Sequence, residues 1–163
     1  APYYQQSTDK RKSKECGKDG ILGSKRGEMM DGLIAKKRWL NLILSGKKTI
    51  EIRGSNTKKI GQPIYLLESG TNLVKGTCII DSTYPISCSD WSEEREKHCV
   101  DISYSELKKR YKRPHAWVLR NVKLTEEEWK YEHPKGAIIW VKDVMPAYEL
   151  QTGYIDVILR NNM

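Results

Sequence analysis

A chain of 163 residues, 38% of them hydrophobic, has material for one compact domain with an extension, and two full domains would be cramped. Lysine and arginine number 29 against 21 acidic residues, a net charge of +8, so a polyanion is the expected partner. No apolar run approaches the roughly 20 residues that cross a bilayer, and the opening APYYQQSTDKRK has no apolar signal core. A monomer acting in the cytoplasm or nucleus, with no membrane role, is expected.

Residues 1 to 31 carry Gly17, Gly20, Gly23 and Gly27 among charged and small residues, with few apolar anchors, and read as a flexible basic tail. Lys10-Arg11-Lys12 suits a nuclear address, a nucleic-acid arm or a merely solvated tail. Gly20 to Lys25 lacks Walker spacing and a preceding strand, so no phosphate loop is read there.

Order begins near Leu33, where LIA suits a first strand. Trp39, Leu40, Ile43 and Leu44 follow at helical spacing over 37–45, and Gly46 fits the left-handed position that ends a helix. In KKTIEIR, Ile50 and Ile52 alternate with Thr49, Glu51 and Arg53, the period of a strand with one buried face and with Glu51 and Arg53 together on the polar one. PIYLLES, a Ser69-Gly70-Thr71-Asn72 turn and LVKGTCIIDSTYPI read as an antiparallel meander. Asp90 with Glu93 and Ser103 with Glu106 have capping-box spacing, predicting short helices over SEEREKH and LKKRY. AWVLRNVKL, GAIIWV and GYIDVIL return to strand character. Many short strands with few helices define an α+β fold with a small mixed β-barrel over residues 32–163.

The four cysteines, Cys16, Cys78, Cys88 and Cys99, form no CxxC pair, and His98, His115 and His133 lie at no metal-ligand spacing. No metal and no cofactor are expected. Free thiols suit a reducing compartment, with a Cys78–Cys88 disulfide as the alternative. Phenylalanine is absent against nine tyrosines and five tryptophans, so most aromatic side chains carry a polar tip suited to a wet cleft as well as to a core. Trp39, Trp117 and Trp140 lie on core-type patterns.

Between Leu33 and Gln62 eight basic residues face the single acid Glu51, so this segment holds nearly the whole net charge. Lys108, Lys109, Arg110, Lys112 and Arg113 form a second cluster beside Tyr104 and Tyr111. Cations that follow phosphates and rings that stack on bases suit single-stranded nucleic acid, while the solvated face of a helix has the same composition.

Gly46, Lys48, Glu51 and Arg53 form a GxKxxExR pattern at a helix-to-strand junction. With Ser69-Gly70, HAWVLRNV at 115–122 and HPKGAIIWV at 133–141, the sequence resembles the ASCH family of the PUA-like superfamily over most of 33–142. The resemblance implies a β-barrel with flanking short helices and a basic cleft beside it. It also implies roles in RNA binding, RNA modification or transcriptional coactivation, or, in some members, an amidohydrolase on acetylated cytidine or a ribonuclease.

In such a cleft Arg53 offers a planar fork for a phosphate or base edge, Lys48 a point charge, and Glu51 an acceptor for a base amino group. RNA, another single-stranded nucleic acid, a nucleotide or a modified nucleoside would fit. The same trio would also serve as an ion pair closing the barrel. Ser69, Tyr84 as a stacking surface and His115 complete the candidate binding set; His115 would equally be a loop residue bonded to backbone. A hydrolase would use Lys48 and Glu51. In the amidohydrolase-like relatives, however, the position of Glu51 holds a threonine, and the third acid lies open among Glu94, Glu96 and Asp101. A ribonuclease would take Glu51 or His115 as base and Lys48 or Arg53 as stabiliser. A protein-interaction module, with the tail or helical insertion recruiting a partner, is the remaining alternative.

Overall fold

A computed structural model of the chain describes residues 29–147. The expectations for the tail, for Cys16 and for a strand over GYIDVIL fall largely or wholly outside them. Within the described residues four helices and six strands follow in the order β1 (Gly32–Ala35), α1 (Lys37–Leu44), β2 (Ile50–Arg53), β3 (Pro63–Glu68), β4 (Leu73–Pro85), α2 (Cys88–Glu93), α3 (Arg95–His98), α4 (Tyr104–Arg110), β5 (His115–Lys130) and β6 (Trp140–Val141).

The strands form one mixed sheet in the order β2-β5-β4-β3-β1-β6. Strands β3 and β4 pair antiparallel as expected, β5 extends them antiparallel to β4, and β1 joins parallel to β3. The sheet is not closed by a backbone ladder, so the expected barrel is an open one. Strand β2, at one end of the order, pairs only with β5, and β6, at the other, pairs only with β1.

Helix α1 ends as its sequence requires. Gly46 has φ of +82°, its N–H donates to Ile43 O at 3.0 Å, and Lys47 N–H donates to Leu42 O at 3.0 Å. These are the two bonds of a Schellman ending, and they turn the chain into β2. Leu40 and Ile43 pack with Leu33, Ile64, Leu66, Ile80 and Trp117 in the central core. At Gly76 a β-carbon would lie 2.4 Å from Lys123 O and 2.6 Å from Leu44 Cδ2, so only glycine lets β4 and β5 approach beneath the helix.

The three later helices cap a second core of Ile50, Ile52, Ile86, Trp91, Leu107 and Ala116. This arrangement corrects the reading of β2. The helices bury the Ile50 and Ile52 face, while Glu51, opposite Trp117 in register, turns into the interior, so both faces are covered.

Two local signals play out differently from their spacing. Ser87, not Asp90, caps α2 in a reciprocal box with Asp90, because Ile86 is already buried and the helix starts one residue after Ser87. Ser103 accepts from Glu106 N–H as expected. Strand β5 runs past Leu124 because β4 jumps register, from Leu124 opposite Gly76 to Trp129 opposite Val74, leaving Thr125 to Glu128 as an outward bulge. Conversely, β6 keeps only Trp140 and Val141. Cys78, Cys88 and Cys99 are free thiols, so the disulfide alternative is excluded; burial pushes the Cys78 thiol up to about 12. No helix of the described residues is long and apolar enough to cross a membrane.

A candidate nucleotide site in the seam of the sheet

The two ends of the open sheet curve toward each other without pairing. Arg53, on β2, donates through Nη2 to Ile34 O of β1 at 2.8 Å and to Glu51 Oε2 at 3.0 Å. One guanidinium thus bridges the seam by side chain where no backbone ladder does. The Trp117 and Trp140 rings, from β5 and β6, stack across the same gap at 5.8 Å between centroids. Ile34 N–H donates to Ile139 O at 2.9 Å, holding the segment before β6 against β1.

A cavity of about 630 Å³ opens in this seam. One bank carries Ile34, Lys36, Trp39 and Ile138 to Trp140; the other carries Glu51 to Asn56, Val100, Ile102, Leu107, Arg110 and Tyr111. Trp117 Nε1 donates to Ser55 O at 2.8 Å, pinning the loop after β2. Tyr111 lies against Gly54, where a β-carbon would be 2.8 Å from its Cδ1. Ile138, 79% exposed, and Ile139 place apolar surface at the mouth.

Of the charged trio, Glu51 and Arg53 reach the cavity wall. Lys48 does not. It is 1% exposed, its ammonium donates to His98 O, lies 3.7 Å from Glu51 Oε1 and sits 4.9 Å from the centre of the Trp39 ring. Burial lowers the pKa of this ammonium, with Glu51 opposing the shift. Lys48 is therefore a support behind Glu51, sealed by α1 and α3, and the expectation that it meets ligand is corrected.

The barrel-closing ion pair and the cleft are one structure. Glu51, 4% exposed, accepts from Arg53, from Lys48 at ion-pair distance and from Ile52 N–H at 3.1 Å. Arg53 lines the cavity with its guanidinium 5.8 Å from the centre of the Trp117 ring, and among the described residues both of its hydrogen bonds are made by Nη2. An acceptor and a donor thus stand side by side, a pairing suited to the edge of a nucleobase.

The remaining candidates separate. Ser69 is exposed and lines the cavity. Tyr84 donates its hydroxyl to Glu94, is half-buried and faces α2 rather than the cavity; burial first, then that bond, raises its pKa. His115 pairs opposite Arg53 in register, but its Nδ1 is 2.8 Å from Arg113 O, the loop role, and its side chain is no part of the cavity wall. Glu94, Glu96 and Asp101 are likewise absent from the wall.

Trp39 and Trp140 have the spacing of core residues; Trp140 does pack against the central core, but both are only partly buried and also line the cavity. Arg110 and Tyr111, which the sequence presents only as part of a basic cluster, supply part of the second bank. Ser55 and Asn56 follow the strand in a polar loop that carries no signal.

A mixed six-strand sheet with a few short helices is the fold of ASCH structures. The ASCH domain family matches residues 33–139, and the chain belongs to that family. Its members generally share an RNA-binding PUA-like fold. A crystal structure of a serine-to-alanine variant of the ASCH protein from Zymomonas mobilis is 16% identical, with a TM-score of 0.53 over 76% of this chain and 93% of that one. The crystal structure of ASCH from Zymomonas mobilis is 17% identical, with a TM-score of 0.48 over 59% and 70%. No curated protein matches the chain.

Proposed function

We propose that the chain is an RNA- or nucleotide-binding module, acting in the cytoplasm or nucleus, that takes a nucleobase into the seam cavity. The observation that carries this reading is the Glu51–Arg53 pair on the wall of a nucleotide-sized, tryptophan-lined hollow. The base lies among Trp39, Tyr111 and Trp140, Glu51 accepts from its amino or imino hydrogens, and the other nitrogens of Arg53 donate to its ring nitrogen or carbonyl. Ser69 and Asn56 stand at the wall where ribose hydroxyls would lie. A hydrolase draws less support, because Lys48, its expected lysine, touches no cavity surface.

Titration with 5′-monophosphates of the four bases, followed by quenching of tryptophan fluorescence, tests this. Base stacking is worth about 1–3 kcal/mol per base, so Trp39→Ala should weaken binding roughly tenfold while the melting transition stays cooperative. No quenching with any base, or equal affinity in a folded Trp39→Ala protein, refutes the proposal.

A further inference from the structure

Strand β5 has a long bare edge. Strand β2 covers only His115 to Val118, and Leu119 N–H donates to Thr49 O just beyond it. On the side away from β4, among the described residues, no strand pairs with Arg120 to Lys130 and no hydrogen bond reaches their main chain. Leu124, 68% exposed, stands on this stretch, and Val122 and Trp129 are half-buried. Such an edge presents a row of unpaired N–H and C=O groups, a template for another strand. Asn121, at φ of +52°, and the Thr125–Glu128 bulge interrupt it without covering it.

The chain itself returns to this edge. Tyr131 N–H donates at 2.9 Å to Asn72 O, on the β4 side, and Glu132 N–H donates at 2.8 Å to Met145 O. Successive N–H groups of an extended chain point to opposite edges, so Met145 and Pro146 lie on the side that is bare from Lys130 back to Arg120. Pro146 bridges Tyr131 antiparallel, which aims the chain along β5 toward Lys130. Ala147, the last described residue, is helical, so a turn intervenes there.

Beyond that turn the sequence supplies a strand. In GYIDVIL, 153–159, Ile155, Val157 and Leu159 alternate with Tyr154, Asp156 and Ile158, residues that suit a pleated, half-buried surface and give Leu124 apolar neighbours. Length agrees as well. Residues 147–152 rise about 9 Å as a helix and 153–159 cover about 23 Å as a strand, against about 33 Å of edge from Lys130 to Arg120.

We infer that residues 153–159 add to the sheet as a seventh strand, antiparallel to β5, along its edge between Lys130 and Arg120. The occupant is this chain's own segment rather than a second copy, because a short tether holds it at an effective concentration of about millimolar. The seam cavity plays no part, so the inference is independent of base binding.

Hydrogen–deuterium exchange of the full chain tests this, with Asp156→Pro, Val157→Pro and Asn162→Pro alongside. Neighbouring N–H groups face opposite edges, so one of the first two prolines removes a ladder bond and the other sets its ring on the open side. In the unaltered chain, the amides of 120–130 that point away from β4 and the ladder-facing amides of 154–159 should exchange at least about tenfold slower than a free chain. At least one of Asp156→Pro and Val157→Pro should abolish that protection in both segments together while Ile64 to Leu67 of β3 keep theirs, and Asn162→Pro should change neither segment. Free-chain exchange of 154–159 in the unaltered protein, or protection of 120–130 that survives both central prolines, overturns the inference. So does protection that disappears on about hundredfold dilution, which would mark a second copy as the occupant.

Discussion

Glu51→Gln removes the one negative charge between two cations whose environments differ sharply. The Lys48 side chain is fully enclosed, its ammonium 3.7 Å from Glu51 Oε1, whereas the Arg53 side chain is 17% exposed at 3.0 Å from Oε2. Arg53 can recover water; Lys48 has only His98 O and the Trp39 face. Breaking a buried pair by removing one partner costs about 3–5 kcal/mol, chiefly because the other charge is stranded. Glutamine keeps an oxygen for the Ile52 N–H and for Arg53, so a loss of about 2–4 kcal/mol is expected. Lys48→Met instead removes the enclosed cation and leaves Glu51 with Arg53, so it should cost about 1–2 kcal/mol. The double variant then strands nothing, and its loss should fall short of the sum by about 1–3 kcal/mol. Urea unfolding of the four proteins, with m unchanged, measures each corner. Additivity within about 0.5 kcal/mol would mean that Lys48 does not depend on Glu51, and the account of Lys48 as a sealed support would fail.

Three further outcomes follow from single contacts. His98 is fully buried, its Nδ1 accepts from Val100 N–H at 3.0 Å, its Nε2 faces Trp91 O at 2.8 Å, and burial lowers its pKa below 6.5. The unfolded chain therefore takes up the proton first, so this contribution is intact above about pH 6.5 and is lost as pH falls below it; melting of wild type and His98→Asn should converge between about pH 7.5 and 5.5. Parallel curves would refute it. Glu68 is buried, its Oε1 has no hydrogen bond among the described residues and stands 3.9 Å from Lys75 Nζ, so Glu68→Met should be neutral or stabilising by about 1 kcal/mol in urea unfolding, and a loss above about 2 kcal/mol would refute this. Gly54→Ala would press on Tyr111 and push its ring into the cavity, so nucleotide affinity should drop severalfold with stability changed by less than about 1 kcal/mol; unchanged affinity would place Tyr111 outside the binding surface.

What was legible in the sequence was local. The strands β2, β3 and β4 and the glycine after α1 each depend on a few neighbouring residues, and each recurs in the structure, although the single buried face expected of β2 does not. What the sequence hid was set by distant segments. Lys48 stands beside Glu51 in a polar-looking strand, and nothing near it announces that the carbonyl of His98, 50 residues on, closes over its ammonium. Trp39 and Trp140 have core spacing, but spacing fixes a face and not how fully that face is covered. Strand β6 shows the same limit: GAIIWV has strand composition throughout, yet only the residues opposite Gly32 and Leu33 find a ladder partner, and the preceding isoleucines are left at the cavity mouth.

The position of the site follows from how this sheet fails to close. A backbone ladder between the two edge strands, β2 and β6, would satisfy both and leave no room between them. Here the gap is spanned by one guanidinium bond and one stacked tryptophan pair, which fix its width while leaving polar atoms and ring faces turned into it. The same residues that hold the edges together are thus the ones a ligand meets. Arg53 serves both purposes at once, because its Nη2 is committed to Ile34 and Glu51, and only a side chain with several donors in a fixed plane has others left for a base. Lysine at this position would keep the charge but lose the fork. The seam would then have to choose between its bridge and its ligand, which is a physical reason for arginine, rather than any cation, at the end of β2.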